Sequence, residues 1–425
     1  MSSTNHVAQV LVVGAGIAGL AAARAIRELG WDVSVVEQRP DFDGIGTGLF
    51  VPANGVRALA ALGVLDGIAC RGRRIGQLRV RGADGSAESV ACLDRVWPGA
   101  GPSIAIHRSL MQEALLEAAL VPVRMGVRLT GIAADGTTVQ VRFDDGGTAR
   151  YDLVVGADGA GSAVRGLLWA DAAAGYAGES WWRGVVTCPP GLDDWTLTLC
   201  QAGNLVTIPL GAGVVYWGAG VSCQASFRDE LPGRAARVRD RFADATGVAA
   251  AVLDQVSDDA AVQFSAADTA WVEDPVAGHV VLIGDAWHAT TRSMAQGAAM
   301  AAEDALVLAQ ELNRDRRPGA IGDALRRFAV RRLPRVRHVQ ETTAMRNQLA
   351  ALPLEQRLRV VPHWEEISVA SFAPLVSEPA HVGQGADAIQ VQARHDAGPM
   401  PSVRLAMARE KVAASAGWAA NHLVR

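Results

Sequence analysis

The tightest constraint on what this chain can fold into is a run of six residues near its start, Gly14-Ala15-Gly16-Ile17-Ala18-Gly19. An apolar run over 7–13 leads into it. Residues at helical spacing, 17–29, lead out, and a second apolar run follows over 31–37. Gly30 stands just past the helix, where a left-handed end suits glycine. Strand, tight turn, helix and strand predict a β-α-β unit, and with it a parallel sheet covered by helices. Gly14 permits the turn, Gly16 lets backbone approach a pyrophosphate, and Gly19 brings helix and strand close. The helix start offers N–H groups and positive dipole to the phosphates. Glu37, ending the second strand, is placed to accept hydrogen bonds from an adenosine ribose. The spacing alone does not separate NAD from FAD.

At 425 residues the chain is long enough for two or three packed layers. With 50% hydrophobic and 20% charged residues it is globular, and a net charge of −4 offers no electrostatic case for nucleic acid or an anionic membrane. Lys411 is the only lysine, which reads as coding bias. Cys70, Cys92, Cys188, Cys200 and Cys223 form no CxxC pair and are odd in number, which fits a reducing cytoplasm. The first six residues lack the pattern of a signal peptide, and the glycine-interrupted stretch 7–26 is no membrane span. A cytoplasmic protein with no metal, either monomer or homodimer, is expected.

Further along, a glycine-rich loop over 44–48 and 52–55 leads to a helix at about 56–62. Residues 76–92 read as a hairpin turning at Asp84-Gly85, 109–119 as an amphipathic helix, and 123–141 as strands broken at Asp135-Gly136. Residues 176–225, rich in Trp, Thr and Val, predict an antiparallel sheet with turns at 189–191 and 211–213. Trp181, Trp182, Trp195 and Trp217 suit an aromatic-lined pocket, although core packing accounts for strand tryptophans more often. Helices are expected at 233–246, 297–312, 321–349 and 402–423, while 353–401 carries prolines without clear period. The arginines of 321–349 (Arg326, Arg327, Arg331, Arg332, Arg335 and Arg337) read as a solvated face.

Two more strand-to-turn segments complete a set. Asp152-Leu153-Val154-Val155-Gly156-Ala157-Asp158-Gly159 lies mid-chain. Gly284-Asp285-Ala286-Trp287-His288, running on to Gln296-Gly297-Ala298, follows the apolar run 279–283. In this order the three segments resemble the fingerprints of the FAD-dependent aromatic hydroxylases, the class A flavin monooxygenases that include salicylate, para-hydroxybenzoate and urate hydroxylases. Smaller matches extend the resemblance over roughly 7–350: the Ile106–Leu110 segment with Arg108, the loop Gly46–Leu49, Trp182-Arg183-Gly184, and Phe328 with Arg331, Arg332, Pro334 and Arg335.

The resemblance implies an α/β fold, a Rossmann-like, glutathione-reductase-type FAD-binding fold interleaved with an antiparallel substrate sheet and followed by C-terminal helices. The expected divisions are 1–75, 106–175 and 271–350 for FAD, 76–105 and 176–270 for substrate, and a helical tail over 351–425. It implies non-covalent FAD held by Gly14, Ala15, Gly16, Ile17, Ala18, Gly19, Glu37, Gln38, Arg39, Gly48, Arg108, Val127, Asp158, Asp285, Gln296, Gly297 and Ala298. Asp285 would bind the ribityl chain, and the helix start at 296–298 would face the flavin edge that gains negative charge on reduction. The implied reaction uses NAD(P)H and O₂, through a flavin C4a-hydroperoxide, to hydroxylate a small aromatic or heteroaromatic metabolite. Epoxidation, flavin-dependent reduction and non-catalytic FAD binding remain as alternatives.

Tyr216, seven residues after Pro209, resembles a substrate-facing tyrosine of the urate-hydroxylating members, whose substrate-binding arginine is replaced here by Asn204. His288 reads as a structural residue of the fingerprint turn, isolated from other ligand-type side chains. Arg292 and Ala295 stand where the family has proline and glycine. Arg292 either enters the site beside the flavin or points to solvent, and with Tyr216 it is a candidate catalytic residue.

Overall fold

The computed structural model describes residues 7–42 and 46–378. The helix expected at 402–423 lies outside them. Its centre is a six-stranded sheet in the order Val276–Ala277, Val280–Leu282, Leu153–Gly156, Gln9–Val13, Asp32–Glu37, Val123–Met125. All its pairings are parallel except that of the two-residue edge strand. Segments far apart in sequence are neighbours here: Val10 pairs with Leu153, and Val154 with Val280. The three fingerprint turns therefore leave the same carboxyl edge of adjacent strands, the edge at which open parallel sheets bind ligands.

Fully apolar strands explain why this sheet is central. Val10, Leu11, Val12, Leu153, Val154, Val155 and Val280 to Leu282 are all buried, as expected where helices cover both faces. The helices Ile17–Arg27 and Gly297–Asn313 pack against each other through alanines. The turn packing also needs missing side chains. A Cβ on Gly14 (φ +100°) would lie 2.6 Å from the Ala157 carbonyl oxygen, and one on Gly19 would lie 1.8 Å from that of Gly14.

The second sheet has seven strands in the order Gln263–Thr269, Gly175–Thr187, Val214–Ser222, Asn204–Gly211, Trp195–Leu199, Gln77–Gly82, Glu88–Cys92. The hairpin expected in 76–92 thus joins the sheet expected in 176–225, through a parallel pairing of Trp195 with Leu78. Behind it, the helices Arg234–Arg241 and Val248–Leu253 cover a separate core containing Trp182, Trp217, Leu205, Val215 and Phe242. The second of these helices has no counterpart in the sequence reading.

Several element limits shift. The helix expected at 56–62 is Ala53–Ala61, starting directly after Pro52. The helix expected at 233–246 shortens to Arg234–Arg241. Residues after 351, without period in the sequence, form the helices Leu354–Val360, which packs on the strand Trp195–Leu199, and Trp364–Val376, which docks on the hairpin strand Glu88–Cys92. Glu365 fastens the second of them by accepting hydrogen bonds from the Cys92 N–H and the Arg95 guanidinium.

The expected solvated arginine face needs correction. Arg326 and Arg337 are exposed, but Arg331, Arg332 and Arg335 are buried. In the helix Ile321–Ala350 they face Gly297–Asn313, whose carboxylates Glu303, Asp304 and Glu311 receive them. A run of one charge cannot show that its countercharges lie on another helix. Among the described residues no helix is long and apolar enough to cross a membrane.

Candidate functional site

Between the two sheets lies a cavity of about 530 Å³. Its first wall is the carboxyl edge of the parallel sheet, where two helices begin without side-chain caps. Ile17–Arg27 starts after Gly16, and Gly297–Asn313 after Gln296. Neither has an acidic residue in its first turn, so first-turn N–H groups and the positive helix ends are left for a ligand. A Cβ on Gly16 would meet nothing within 4 Å, which leaves open space over that backbone.

Around this cradle the predicted nucleotide residues take definite places. Glu37 accepts hydrogen bonds from the Ala15 N–H (2.9 Å) and the Arg39 N–H (3.0 Å). Val127 donates its N–H to the Glu37 carbonyl (2.9 Å), and Gln38 and Arg39 are exposed beside it. Arg108 opens the helix Arg108–Ala119 and donates its backbone N–H to Thr47, with its side chain lining the cavity. Asp285 is exposed within the cavity, its carboxyl 3.8 Å from where a Gly297 Cβ would stand. Burial raises its pKa, against the pull of His288, Arg108 and Arg292.

Asp158 is turned inward. Its carboxylate accepts from Ser162 Oγ (2.5 Å), Ala163 N–H (2.7 Å) and Val164 N–H (3.1 Å), holding the helix Ala163–Leu168 rather than opening to the cavity. The Gln296 side chain also stays within the protein, exchanging hydrogen bonds with the Asn54 amide. Gln112, which the sequence reading passed over, is buried and donates to the Ala15 carbonyl.

The second wall is one face of the seven-stranded sheet, and strand alternation selects it. Trp181, Arg183, Tyr216, Ile208, Val206, Asn204, Trp195, Leu197, Leu78 and Val80 line the cavity. Their neighbours Trp182 and Trp217 point to the core behind. The four tryptophans read as one group therefore divide, two to each face. Glycines shape this wall: a Cβ on Gly218 would lie 2.6 Å from the Tyr216 hydroxyl, and one on Gly220 2.6 Å from the Trp181 ring. The Tyr216 ring thus lies along its own strand, and the Trp181 ring lies across the paired strand. Gly48 is equally tight against Tyr216: a Cβ on it would lie 2.5 Å from the Tyr216 Cβ. The third wall is the C-terminal helices, with Val360, Val361, Trp364, Ile367 and Phe372.

Arg292 points inward, its guanidinium 5.9 Å from the centre of the Trp181 ring. Ala295 keeps a left-handed conformation (φ 51°), the backbone shape glycine would serve without strain. Glu179 and Arg183, neither assigned a role by sequence reasoning, share the sheet face with Tyr216. Alternation along Gly175–Thr187 was the available signal, but the strand's register was not in the sequence. Asn204 accepts a hydrogen bond from Arg357 (2.9 Å), so the helix Leu354–Val360 brings an arginine beside this position.

Below the third turn, His288 is not isolated. Its Nε2 lies 2.8 Å from Asp304 Oδ2, which also accepts the Gly284 N–H at 2.8 Å. Arg332 links Asp304 (2.7 Å) to Glu303 (2.5 Å), and Arg335 and Asn54 also reach Glu303. This buried network fixes the turn that carries Asp285. No cluster of His, Cys, Asp or Glu among the described residues could hold a metal ion.

Comparison with known proteins agrees with this geometry. Residues 7–343 match the family model described as an FAD binding domain. The chain is 32% identical over 311 residues to 2-heptyl-3-hydroxy-4(1H)-quinolone synthase of Pseudomonas aeruginosa, covering 71% of this chain and 80% of that one. It is 33% identical over 345 residues to 3-amino-4-hydroxybenzoate 2-monooxygenase of Streptomyces cremeus, covering 78% and 84%. Among solved structures it resembles Klebsiella pneumoniae HpxO in complex with FAD and uric acid. There the TM-score is 0.75 and the identity 26%, over 88% of this chain and 95% of the other.

Proposed function

From the premise that this chain belongs to the FAD-dependent aromatic hydroxylase family, we propose that it inserts oxygen into a small aromatic or heteroaromatic metabolite, using NAD(P)H and O₂. The observation that carries this is the convergence of two uncapped helix starts, an open carboxyl group and an aromatic-lined sheet face on one cavity.

The residues present fit FAD. The Gly16 turn and the start of Ile17–Arg27 would receive the pyrophosphate. Glu37 would hold the adenosine ribose, and Asp285 the ribityl chain. The flavin would lie along Gly48 and the start of Gly297–Asn313. When bound, FAD supplies the electron transfer and oxygen activation that no side chain here can supply. The polypeptide's own part is to bind, orient and exclude water. First-turn N–H groups of Gly297–Asn313 are preorganised toward negative charge at the flavin edge. Apolar side chains of the sheet and of the C-terminal helices keep the chamber dry. The Tyr216 hydroxyl, its pKa raised by burial against the pull of Arg292 and Arg183, stays protonated at neutral pH and can donate a hydrogen bond to a ring substituent. Asp158 serves by bracing the second turn.

The test is direct. Purified protein should be yellow, bleach with NADH or NADPH and recolour in air. With ¹⁸O₂ and an accepted substrate, one labelled oxygen should enter the product. Colour that does not bleach with either nucleotide, or product without label, would overturn the reading.

A further inference from the structure

The helix Ile321–Ala350 carries one buried arginine that the ionic network does not reach. Arg346 is 8% exposed and lines the chamber beside its third wall. Its Nη1 donates to the Ser293 carbonyl of the third turn (3.2 Å), and its Nη2 to the Ser371 hydroxyl of the tail helix Trp364–Val376 (3.3 Å). The guanidinium carbon lies 5.1 Å from the centre of the Trp364 ring and 5.3 Å from that of Phe372. None of these partners is an anion, and the acidic groups nearby act elsewhere. Glu179 and Asp285 act on Arg292, and Asp268 stands on the edge strand Gln263–Thr269, opposite Tyr176. On the tail helix, Glu365 is taken by Cys92 and Arg95, and Glu366 lies 4.0 Å from His363. Glu341, on the same helix as Arg346, is exposed. Burial alone pushes the Arg346 guanidinium down to about 10, so it stays charged at neutral pH.

Donors are left over around this charge. The Arg346 Nε and the Trp364 Nε1 are both buried without a hydrogen-bond partner among the described residues, and each can only donate. The two helices run antiparallel here: Arg335 donates to the Leu375 carbonyl, His338 meets that of Ser371, and Arg346 stacks on Trp364. That order places Thr342 and Ser368 between the last two contacts, and their hydroxyls are buried and unpartnered as well. A buried charge without a partner is costly, and unpaired buried donors add to the cost. A water molecule satisfies donors but leaves the charge, whereas an anion answers both. The neighbours Val361, Ile367 and Phe372 are apolar and replace none of the hydration of a doubly charged ion, which favours a singly charged one. We propose that a small monovalent anion, chloride in the simplest case, binds between Ile321–Ala350 and Trp364–Val376, held by the Arg346 Nε–H and the Trp364 indole N–H. Bound there, it neutralises the Arg346 charge in the seam between the third turn and the tail helix, and so favours the docked tail. The site uses none of the residues assigned to the flavin or to oxygen insertion, and it does not depend on the proposed reaction.

The test uses the full chain as purified, dialysed into sodium gluconate near neutral pH. Replacing gluconate stepwise by chloride or bromide, at fixed ionic strength, should raise the melting temperature as binding of one ligand to the folded state requires, and the dissociation constant follows from the dependence. Arg346→Met, which keeps an unbranched side chain without the charge, should lose the halide dependence. Trp364→Phe keeps a ring but removes the N–H. It should weaken chloride by about ten- to a hundredfold, the range for a hydrogen bond to a charged group, and it serves if Arg346→Met does not fold. Crystals soaked in bromide should show an anomalous peak between Arg346 and Trp364, and crystals soaked in sulfate should show no sulfate there. The proposal fails if the parent melts alike in gluconate and chloride, or if the halide dependence survives in both variants. A bromide soak that leaves only water beside Arg346 also overturns it.

Discussion

At the scale of single residues, three positions in the third turn are separable by experiment. Asp285 offers a carboxyl group beside the start of Gly297–Asn313. Asp285→Ala should lose a hydrogen bond to a charged acceptor, about 1.5–3 kcal/mol, or about ten- to a hundredfold in FAD dissociation constant. Equilibrium dialysis against free FAD measures it, and unchanged retention would remove Asp285 from the cofactor site. Ala295 is strained at φ 51°, a conformation costing a non-glycine residue roughly 1–2 kcal/mol. Glycine relieves that strain but carries an entropy cost of about 0.5–1 kcal/mol. Ala295→Gly should therefore stabilise the protein by up to about 1 kcal/mol in a urea titration, and a lower midpoint would contradict this. Arg292 stacks on Trp181 inside the chamber. Arg292→Pro and Arg292→Ala should keep FAD content but change substrate affinity or the ratio of NAD(P)H consumed to product formed. If both match the parent on both quantities, Arg292 has no part in the mechanism.

At the scale of elements, the contact between Gly297–Asn313 and Ile321–Ala350 is ionic where most helix pairs are apolar. Its weight can be read from one residue. Asp304 accepts from Gly284, Arg332 and His288 at once. Removing one partner of a buried charged network typically costs about 3–5 kcal/mol, because the others stay buried without a partner. Asp304→Asn should show a loss of that order in denaturant unfolding. Burial tends to raise the Asp304 pKa, but His288 and Arg332 outweigh it, and the carboxyl is held below its ordinary range. Glu303 is held low in the same way, against burial, by Arg332 and Arg335. A lowered carboxylate pKa adds stability above the unfolded value, about 4 for these groups, and that stability is lost as pH falls through the folded value. The parent's melting temperature should thus fall more steeply below about pH 4 than that of Asp304→Asn. Parallel curves would show that the network carries no pH dependence.

For the whole molecule, the third wall of the cavity comes from the segment after residue 351, where the sequence reading placed only helical trim. Val360, Val361, Trp364, Ile367 and Phe372 line the chamber, while the residues expected to hold FAD all precede it. A chain ending at Ala351 should therefore keep FAD but lose the dry chamber. Bound flavin should become more open to iodide quenching, and aromatic ligands should bind more weakly. Equal quenching in both forms would show that the tail does not close the site. The truncation also removes the Pro374, Leu375 and Ser377 carbonyls that Arg335 donates to, so some loss of stability should accompany it.

The sequence by itself determined the nucleotide half of this protein. Gly14, Gly16, Gly19, Asp158 and Asp285 sit in short strand-to-turn segments, where local backbone geometry demands particular residue types within a few positions. It also carried the antiparallel texture of 176–225, because alternation with a period of two is a local property. What it left open depends on partners far away along the chain. Whether Arg331, Arg332 and Arg335 meet solvent or carboxylates was decided by a second helix. His288 found Asp304 by the same packing, and Asn204 found Arg357 through a segment with no periodic signal. Which tryptophans face the chamber was decided by the register of Gly175–Thr187 against Val214–Ser222, and one step of slip would exchange the faces. Tertiary structure alone brought Arg183 and Tyr216 to one wall of the chamber, because their strands pair only in the folded chain.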